Sequence, residues 1–382
     1  MENKEIIKEC ESVFEEIKAI RRLLHRNAEI GNSETVTTKI ICDCLSNWGI
    51  SCERPLETGA VALVEGRKGG KTVVLRADID ALPITEKTGL SFESENKGMM
   101  HACGHDIHTA ALLGTALVLS KNKDKFSGKV RFVFEPDEEL LGGAERLIEK
   151  GVMEEADCVF GMHVRPDIKE GNVEVKFGKS YAAADVFEIE VKGKSTHGAE
   201  PQKGVDAIAV ACHIVSALQT IVSRNVAPAD SAVISVCTFN GGTVCNQLAE
   251  KAVFGGIIRS LGAETRKKLQ NRLKETTVGI AEAMGAGCEV RIRESYPGIV
   301  NEDTMTEYIK KCASDILGKE NVRVSDAPLM TSEDFGFYLE KAKGTFFHVG
   351  CECESPLHSD TFNPKESAII TAMKVYLRAI FD

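Results

Sequence analysis

Apolar runs and amphipathic segments alternate along the first half of the chain. Apolar residues recur every three or four positions from Ile6 to Leu24, which predicts a first helix, and a second helical stretch follows near 34–48. Apolar runs ending in acidic or histidine residues predict buried strands in "KTVVLRADIDALPI", "GKVRFVFEPDEE" and "CVFGMHV", with helices over 106–120 and about 144–150 between them. This alternation predicts an α/β fold whose polar residues gather at one edge of the sheet.

The pattern changes near residue 185 and changes back near residue 295. Within 185–295 the order is strand, helix, strand, strand, helix, strand, which is typical of a ferredoxin-like βαββαβ domain. We therefore expect 185–295 to be an inserted domain, and 1–184 together with 296–382 to form the other domain. After "SYPG" the pattern predicts helices over 301–317, 333–343 and about 365–381, and a strand in "TFFHVG".

Composition favours a soluble, cytoplasmic protein. The 382 residues are 43% hydrophobic and 27% charged, as in ordinary globular proteins of two domains. The net charge, 47 − 57 = −10, and the absence of a basic stripe argue against nucleic acid as a partner. The charged N-terminus does not resemble a signal peptide, and no apolar run is expected to span a membrane. The 13 cysteines are odd in number and scattered, so we expect reduced thiols.

The segment "MHACGHDIH" (residues 100–108) concentrates three of the nine histidines beside a cysteine. Cys103 and His105 are two positions apart and could reach one divalent ion or an adjacent pair, for which thiolate and imidazole are suitable ligands. An isolated histidine is more often structural, and His101 and His108 receive no role here. The other candidate ligands all follow an apolar strand or lie in a loop, so one sheet could bring them together: Glu138, Glu139, His163 and His358.

The tandem glutamates suggest hydrolysis. One carboxylate can hold an ion while its neighbour takes a proton from water and returns it to the leaving amine.

Eleven motifs in order resemble the M20 metallopeptidases, in particular the amidohydrolase branch with its aminoacylases, hippurate hydrolase and indole-3-acetyl-amino acid hydrolases. They run nearly end to end: "RRLLHRNAEIG", "RADIDALPI", "MHACGHDIH", "FEPDEE", "FGMHV", "GKSTHGAEP", "GVDAI", "TFNGGTVCN", "YPG", "SEDF" and "LHSDTF". The resemblance implies a mixed-sheet, zinc-peptidase-like catalytic domain with an inserted lid and dimerisation domain. It also implies deacylation of N-acyl amino acids by a homodimer.

The resemblance further implies a role for individual residues. Two divalent ions, manganese or zinc, would be bound by Cys103, His105, Glu139, His163 and His358. Glu138 would be the general base. Asp80 would orient a ligand, although a turn cap is an equal alternative.

Three residues of the inserted domain are implied in substrate binding. His197 would polarise the scissile carbonyl, often across a dimer, and Asn246 and Arg259 would hold the substrate carboxylate.

Two acids depart from the family pattern, since Glu135 and Asp137 replace a glutamine and an alanine. They could repel an anionic substrate or tighten metal binding. They also keep open an aminopeptidase or dipeptidase, in which one of them would bind a free α-ammonium group. Two further alternatives are a silent metal- or ligand-binding protein and a cysteine hydrolase built on Cys103 and His105.

Overall fold

A computed structural model describes residues 1–382 and divides the chain into two compact units. The first unit comprises Met1–Gly178, Val300–Ala327 and Asp334–Asp382, and the second comprises Lys179–Ile299 and Pro328–Glu333. The predicted insert, 185–295, falls inside the second unit.

Nine helices and fourteen strands make up the two units. The helices are α1 (Asn3–Arg26), α2 (Thr35–Asn47), α3 (His105–Lys121), α4 (Ala144–Glu149), α5 (Ala207–Asn225), α6 (Ala263–Ala283), α7 (Asp303–Leu317), α8 (Gly336–Leu339) and α9 (Ser367–Ile380). The strands are β1 (Cys52–Glu53), β2 (Ala60–Glu65), β3 (Arg67–Asp78), β4 (Ser127–Glu135), β5 (Cys158–Arg165), β6 (Val173–Val175), β7 (Gly178–Tyr181), β8 (Ala183–Lys192), β9 (Ala232–Gly241), β10 (Lys251–Ser260), β11 (Gly287–Glu294), β12 (Ile299–Asn301), β13 (Val322–Val324) and β14 (Lys343–Gly350).

The first unit is built on an eight-stranded mixed sheet in the order β1-β2-β4-β3-β5-β14-β6-β13. Strands β4, β3, β5 and β14 are parallel to their neighbours within that run, while β2 pairs antiparallel with β4. Asp78 at the end of β3 is in register with Glu135 at the end of β4. The carboxyl ends of these strands therefore meet at one edge of the sheet, as the sequence predicted.

Helix α3 forms the centre of the first unit's core. Fifteen of its 17 residues are buried, which is expected of a helix that is apolar on every side and packs between α1 and α9. It begins after Gly104, whose φ is +89°. A Cβ atom on Gly104 would lie 2.5 Å from the Val164 side chain. The glycine therefore lets the segment with Cys103 and His105 approach the end of β5.

The second unit has a four-stranded antiparallel sheet in the order β11-β8-β10-β9, with α5 and α6 packed on it. Its core includes Phe187 and Phe254, both almost fully buried. The element order is the predicted βαββαβ.

Helix α5 corrects the expectation that no apolar run is long enough to span a membrane. By length and composition it could do so. Its residues Val210, Ile214, Leu218 and Ile221 are nevertheless buried in the second unit's core, and core helices of soluble proteins meet the same criteria.

The predicted helix over 333–343 was wrong in length. Only the single turn α8 forms, because Lys343 already begins β14.

Candidate metal centre

Cys103 and His163 face each other at the end of β5. The Cys103 Sγ lies 3.3 Å from His163 Nε2, and both side chains are buried. The other ring nitrogen, Nδ1, is 2.7 Å from the Val164 carbonyl oxygen and donates its proton there. This hydrogen bond leaves the Nε2 lone pair directed at the sulfur, the tautomer that a metal ligand requires.

His105 presents an unsatisfied nitrogen to the same space. Its Nδ1 is 3.0 Å from Asp80 Oδ1, whereas its buried Nε2 has no hydrogen-bond partner. The Nε2 atom lies 3.7 Å from Asp78 Oδ2 and 3.8 Å from Glu139 Oε1. A buried polar atom without a partner is costly, and a cation between these groups would satisfy it. The donor set therefore fits a divalent metal.

Glu139 and His358 complete the cluster from two further segments. The Glu139 backbone N–H donates to Asp80 Oδ2 at 3.0 Å, and His358 Nε2 lies 3.4 Å from Glu139 Oε1. His358 has a φ of +63° and its N–H donates to the Ala102 carbonyl, which fixes its loop beside the cysteine segment. Asp80 contacts both His105 and Glu139, so it is placed to orient two candidate ligands.

All five predicted ligands and Glu138 lie in overlapping groups. Within each group the potential ligand atoms are at most 4.8 Å apart: Cys103, His105 and His163; Cys103, Glu139 and His358; and His105, Glu138 and Glu139. At these separations the side chains of the three groups could share one or two bound ions. Glu138 is buried, 6% exposed, beside the ligand cluster.

The ionisation of these groups reflects the negative charge of the surrounding carboxylates. Burial opposes a charge on His105, but the Asp78 and Asp80 carboxylates outweigh it and raise its pKa to about 10. Burial, reinforced by Glu139 and Glu138, raises the pKa of the Cys103 thiol well above its usual value. A thiolate at Cys103 therefore needs a nearby cation, which suits a ligand and argues against an autonomous nucleophile.

Asp78, Arg76 and His108 belong to the surroundings of the site, although the sequence did not single them out. His108 Nδ1 donates to Asp78 Oδ1 at 2.6 Å, and its Nε2 accepts the Val164 N–H at 3.0 Å. Arg76 donates to Asp78 Oδ2 at 2.7 Å. His108 thus fixes the backbone directly after His163. The available signal was the alternation in "RADID", which places residues 76, 78 and 80 on one side.

The two acids that depart from the family pattern are already paired. Glu135 accepts two hydrogen bonds from Arg76, at 2.9 and 3.0 Å, and one from the Tyr338 hydroxyl at 2.6 Å. Asp137, which has a φ of +64°, accepts from Arg146 at 2.9 Å. These arginines offset part of the charge with which the two acids could repel an anionic substrate or tighten metal binding.

His197 and Asn246 lie in neighbouring loops of the second unit. The N–H of Gly198 donates to the Asn246 carbonyl at 2.8 Å. His197 is exposed and its Nδ1 accepts the Ala199 N–H at 3.1 Å, so Nε2 remains available.

Arg259 lies towards the opposite end of β10. Asn246 precedes the first residue of this strand, Lys251, and Arg259 is its penultimate residue. At about 3.3 Å per residue, the strand alone separates the two ends by roughly 26 Å. The side chains of Asn246 and Arg259 of one chain therefore cannot both bind the same carboxylate.

The comparison with known sequences decides the family. Residues 74–382 match the sequence profile of peptidase family M20/M25/M40. The chain belongs to the peptidase M20 family. Its motifs had predicted the amidohydrolase branch of this family, and the relatives confirm that prediction.

Three relatives illustrate the position of this M20 protein. It is 42% identical to the N-acetyl-L-cysteine deacetylase of Bacillus subtilis, covering 92% of this chain and 84% of the relative. It is 35% identical to the hippurate hydrolase of Campylobacter jejuni, covering 95% of each. A solved Bacillus subtilis structure, described as a dinuclear metal-binding peptidase of the M20 family, superposes with a TM-score of 0.85. That protein shares 33% sequence identity, with 97% of this chain and 98% of that chain covered.

Proposed function

We propose that this protein is a metal-dependent amidohydrolase that cleaves the amide bond of N-acyl amino acids. The observation that carries the proposal is the convergence of Cys103, His105, Glu139, His163 and His358 beside the buried Glu138. The relatives named for deacetylation and for hippurate hydrolysis support the substrate class.

The five converging side chains would hold two divalent ions. Thiolate, imidazole and carboxylate together suit manganese or zinc, and manganese is the first ion to test. When bound, the ions supply Lewis acidity that polarises a carbonyl and makes water more acidic.

Glu138 would move the proton. Its carboxylate lies in the same group as His105 and Glu139, close enough to take a proton from the attacking water. The same carboxyl group would then protonate the departing amine nitrogen. Asp80 would hold His105 and Glu139 in place throughout.

The second unit would supply the substrate contacts. His197 Nε2 would donate to the carbonyl oxygen as negative charge develops there, while Asn246 and Arg259 would bind the carboxylate of the amino acid. Because Asn246 and Arg259 lie at opposite ends of β10, one substrate could meet both only if two chains contribute. This separation supports a homodimer formed through the second unit, with His197 acting in its partner's site.

We place the enzyme in the cytoplasm, acting on a small molecule without nucleic-acid or membrane partners. The 13 free cysteines suit a reducing compartment.

The test is Glu138→Ala with manganese loading, compared with the exposed Glu145→Ala on α4 as a matched loss of one carboxylate. We expect Glu138→Ala to retain two ions per chain and to lose turnover of N-acetyl amino acids, while Glu145→Ala keeps both. A metal-loaded Glu138→Ala protein with wild-type turnover would refute the role of the base.

The same assay separates the alternatives. Hydrolysis of free dipeptides in preference to acetylated ones would indicate a peptidase. In the structure Glu135 accepts from Arg76 and Asp137 accepts from Arg146. Activity that survives a chelator would indicate a cysteine hydrolase. Metal binding without any turnover would indicate a silent binding protein.

A further inference from the structure

The segment 136–143, called here the glutamate loop, carries both Glu138 and Glu139. It makes little core of its own, since Leu140 and Leu141 are 51% and 67% exposed. Its two ends abut: a Cβ atom on Gly143 would lie 1.9 Å from the Pro136 carbonyl oxygen. The shape of the loop must therefore be fixed mainly at its ends.

Arg76 holds the beginning of the glutamate loop. Its Nε and one terminal nitrogen donate to the two carboxylate oxygens of Glu135, the residue directly before the loop, at 3.0 and 2.9 Å. This two-point contact fixes both the position and the orientation of the carboxylate.

Asp334 holds the end of the same loop. Its Oδ2 accepts the backbone N–H groups of Gly143 and Ala144 at 3.0 and 3.1 Å. Its Oδ1 accepts from Arg76 at 2.8 Å. One guanidinium group therefore connects to both ends of the glutamate loop.

These groups are buried, so water cannot easily replace their contacts. Arg76 is 1% exposed, and Glu135 and Asp334 are fully buried. Arg76 also donates to Asp78 at the end of β3, which anchors the arrangement to the central sheet.

We propose that Arg76 and Asp334 are positioning residues that hold the glutamate loop and thereby set the placement of Glu138 and Glu139. The effect on catalysis rests on the proposed function, whereas the effect on the loop and on metal affinity does not. Neither residue is a proposed ligand or proton carrier.

The experiment compares Asp334→Ala and Asp334→Asn with the wild type. Asp185→Asn serves as the control, because Asp185 is equally buried and accepts from Arg266 at 2.5 Å in the second unit. Hydrogen exchange of the amides over 137–144, manganese affinity by titration, and kcat and KM are measured for each protein.

In Asp334→Ala, hydrogen exchange of the loop amides should be at least about tenfold faster. Manganese should bind about 10–100-fold more weakly, the usual effect of removing a residue that orients a metal ligand. A misplaced base should lower kcat by about a hundredfold at saturating manganese with little change in KM. Asp334→Asn, whose amide oxygen can still accept the Gly143 N–H, should restore part of the loop protection. Asp185→Asn should leave the loop exchange and the manganese affinity unchanged.

Folded Asp334→Ala protein with wild-type loop exchange and manganese affinity would overturn the proposal. Should Asp334→Ala fail to fold, unchanged loop exchange and affinity in Asp334→Asn and Tyr338→Phe would overturn it equally, since Tyr338 donates to Glu135. If the wild type hydrolyses no N-acyl amino acid while the variants still loosen the loop, the proposed function fails and the positioning role stands.

Discussion

Glu34 should make the protein less stable as the pH rises. The residue precedes α2, its side chain is buried, and its Oε1 accepts the Asp137 N–H at 2.8 Å. Burial, to which the negative charge of Asp80 adds, raises the pKa of Glu34 from 4.5 to about 7.

The sign follows from the direction of this shift. A carboxyl group with a higher pKa in the folded state holds its proton more tightly there, so its contribution is present below the unfolded pKa of 4.5 and is lost as pH rises through 7. The difference, 7 − 4.5 = 2.5 units, corresponds to about 3 kcal/mol of unfolding free energy at 1.36 kcal/mol per unit.

Glu34→Gln removes the titration but keeps an oxygen that can accept the Asp137 N–H. Urea unfolding of both proteins at pH 4.5 and pH 8 isolates the effect, because other titrating groups are common to the two. As the pH rises from 4.5 to 8, the unfolding free energy of the variant should increase by about 3 kcal/mol relative to that of the wild type.

The exposed Glu57→Gln is the matched control and should follow the wild type at every pH. Parallel pH profiles for wild type and Glu34→Gln would show that the carboxyl group is not held in its protonated form, and would refute the reasoning.

Three further changes test other contacts. Asp80→Asn should weaken manganese binding about 10–100-fold, measured by titration, because it disturbs the hydrogen bond that orients His105. Gly31→Ala should lower the unfolding free energy by about 1–3 kcal/mol in urea, since its Cβ would lie 2.1 Å from Asp137 Oδ1; unchanged stability would show that Asp137 can move freely. Phe254→Ala should lower the unfolding free energy by about 3–5 kcal/mol in the same assay, because it leaves a cavity in the second unit's core.

The sequence predicted the elements whose environment is simple. Strand β5 is buried on both faces and reads as a continuous apolar run, and α1 shows a clear helical period. The short hairpin of β1 and β2 has no such pattern, so the sequence did not predict it. The helix predicted around α8 was too long, because local propensity cannot show where β14 begins.

The sequence also predicted which ligand candidates converge, because strand ends of one sheet share an edge. It could not predict the hydrogen bonds that Arg76 makes, because Glu135 and Asp334 lie 59 and 258 positions away from Arg76 in the sequence. The sequence also did not show that Arg76 pairs with Glu135, or that Arg146, only nine positions from Asp137, pairs with that acid.

The charge of the site supplies the physical argument for bound cations. Asp80, Glu138 and Glu139 gather around His105, and the nearby Arg76 guanidinium is already shared among three other carboxylates. The imidazoles of His105 and His358 cannot together offset three buried carboxylates in a region of low dielectric constant, where unpaired charge is expensive. Two divalent ions would bring the charge of this region close to balance, which would remove the repulsion that an anionic substrate would otherwise meet. The same acids therefore favour the ions, and without the ions they would repel a carboxylate-bearing substrate.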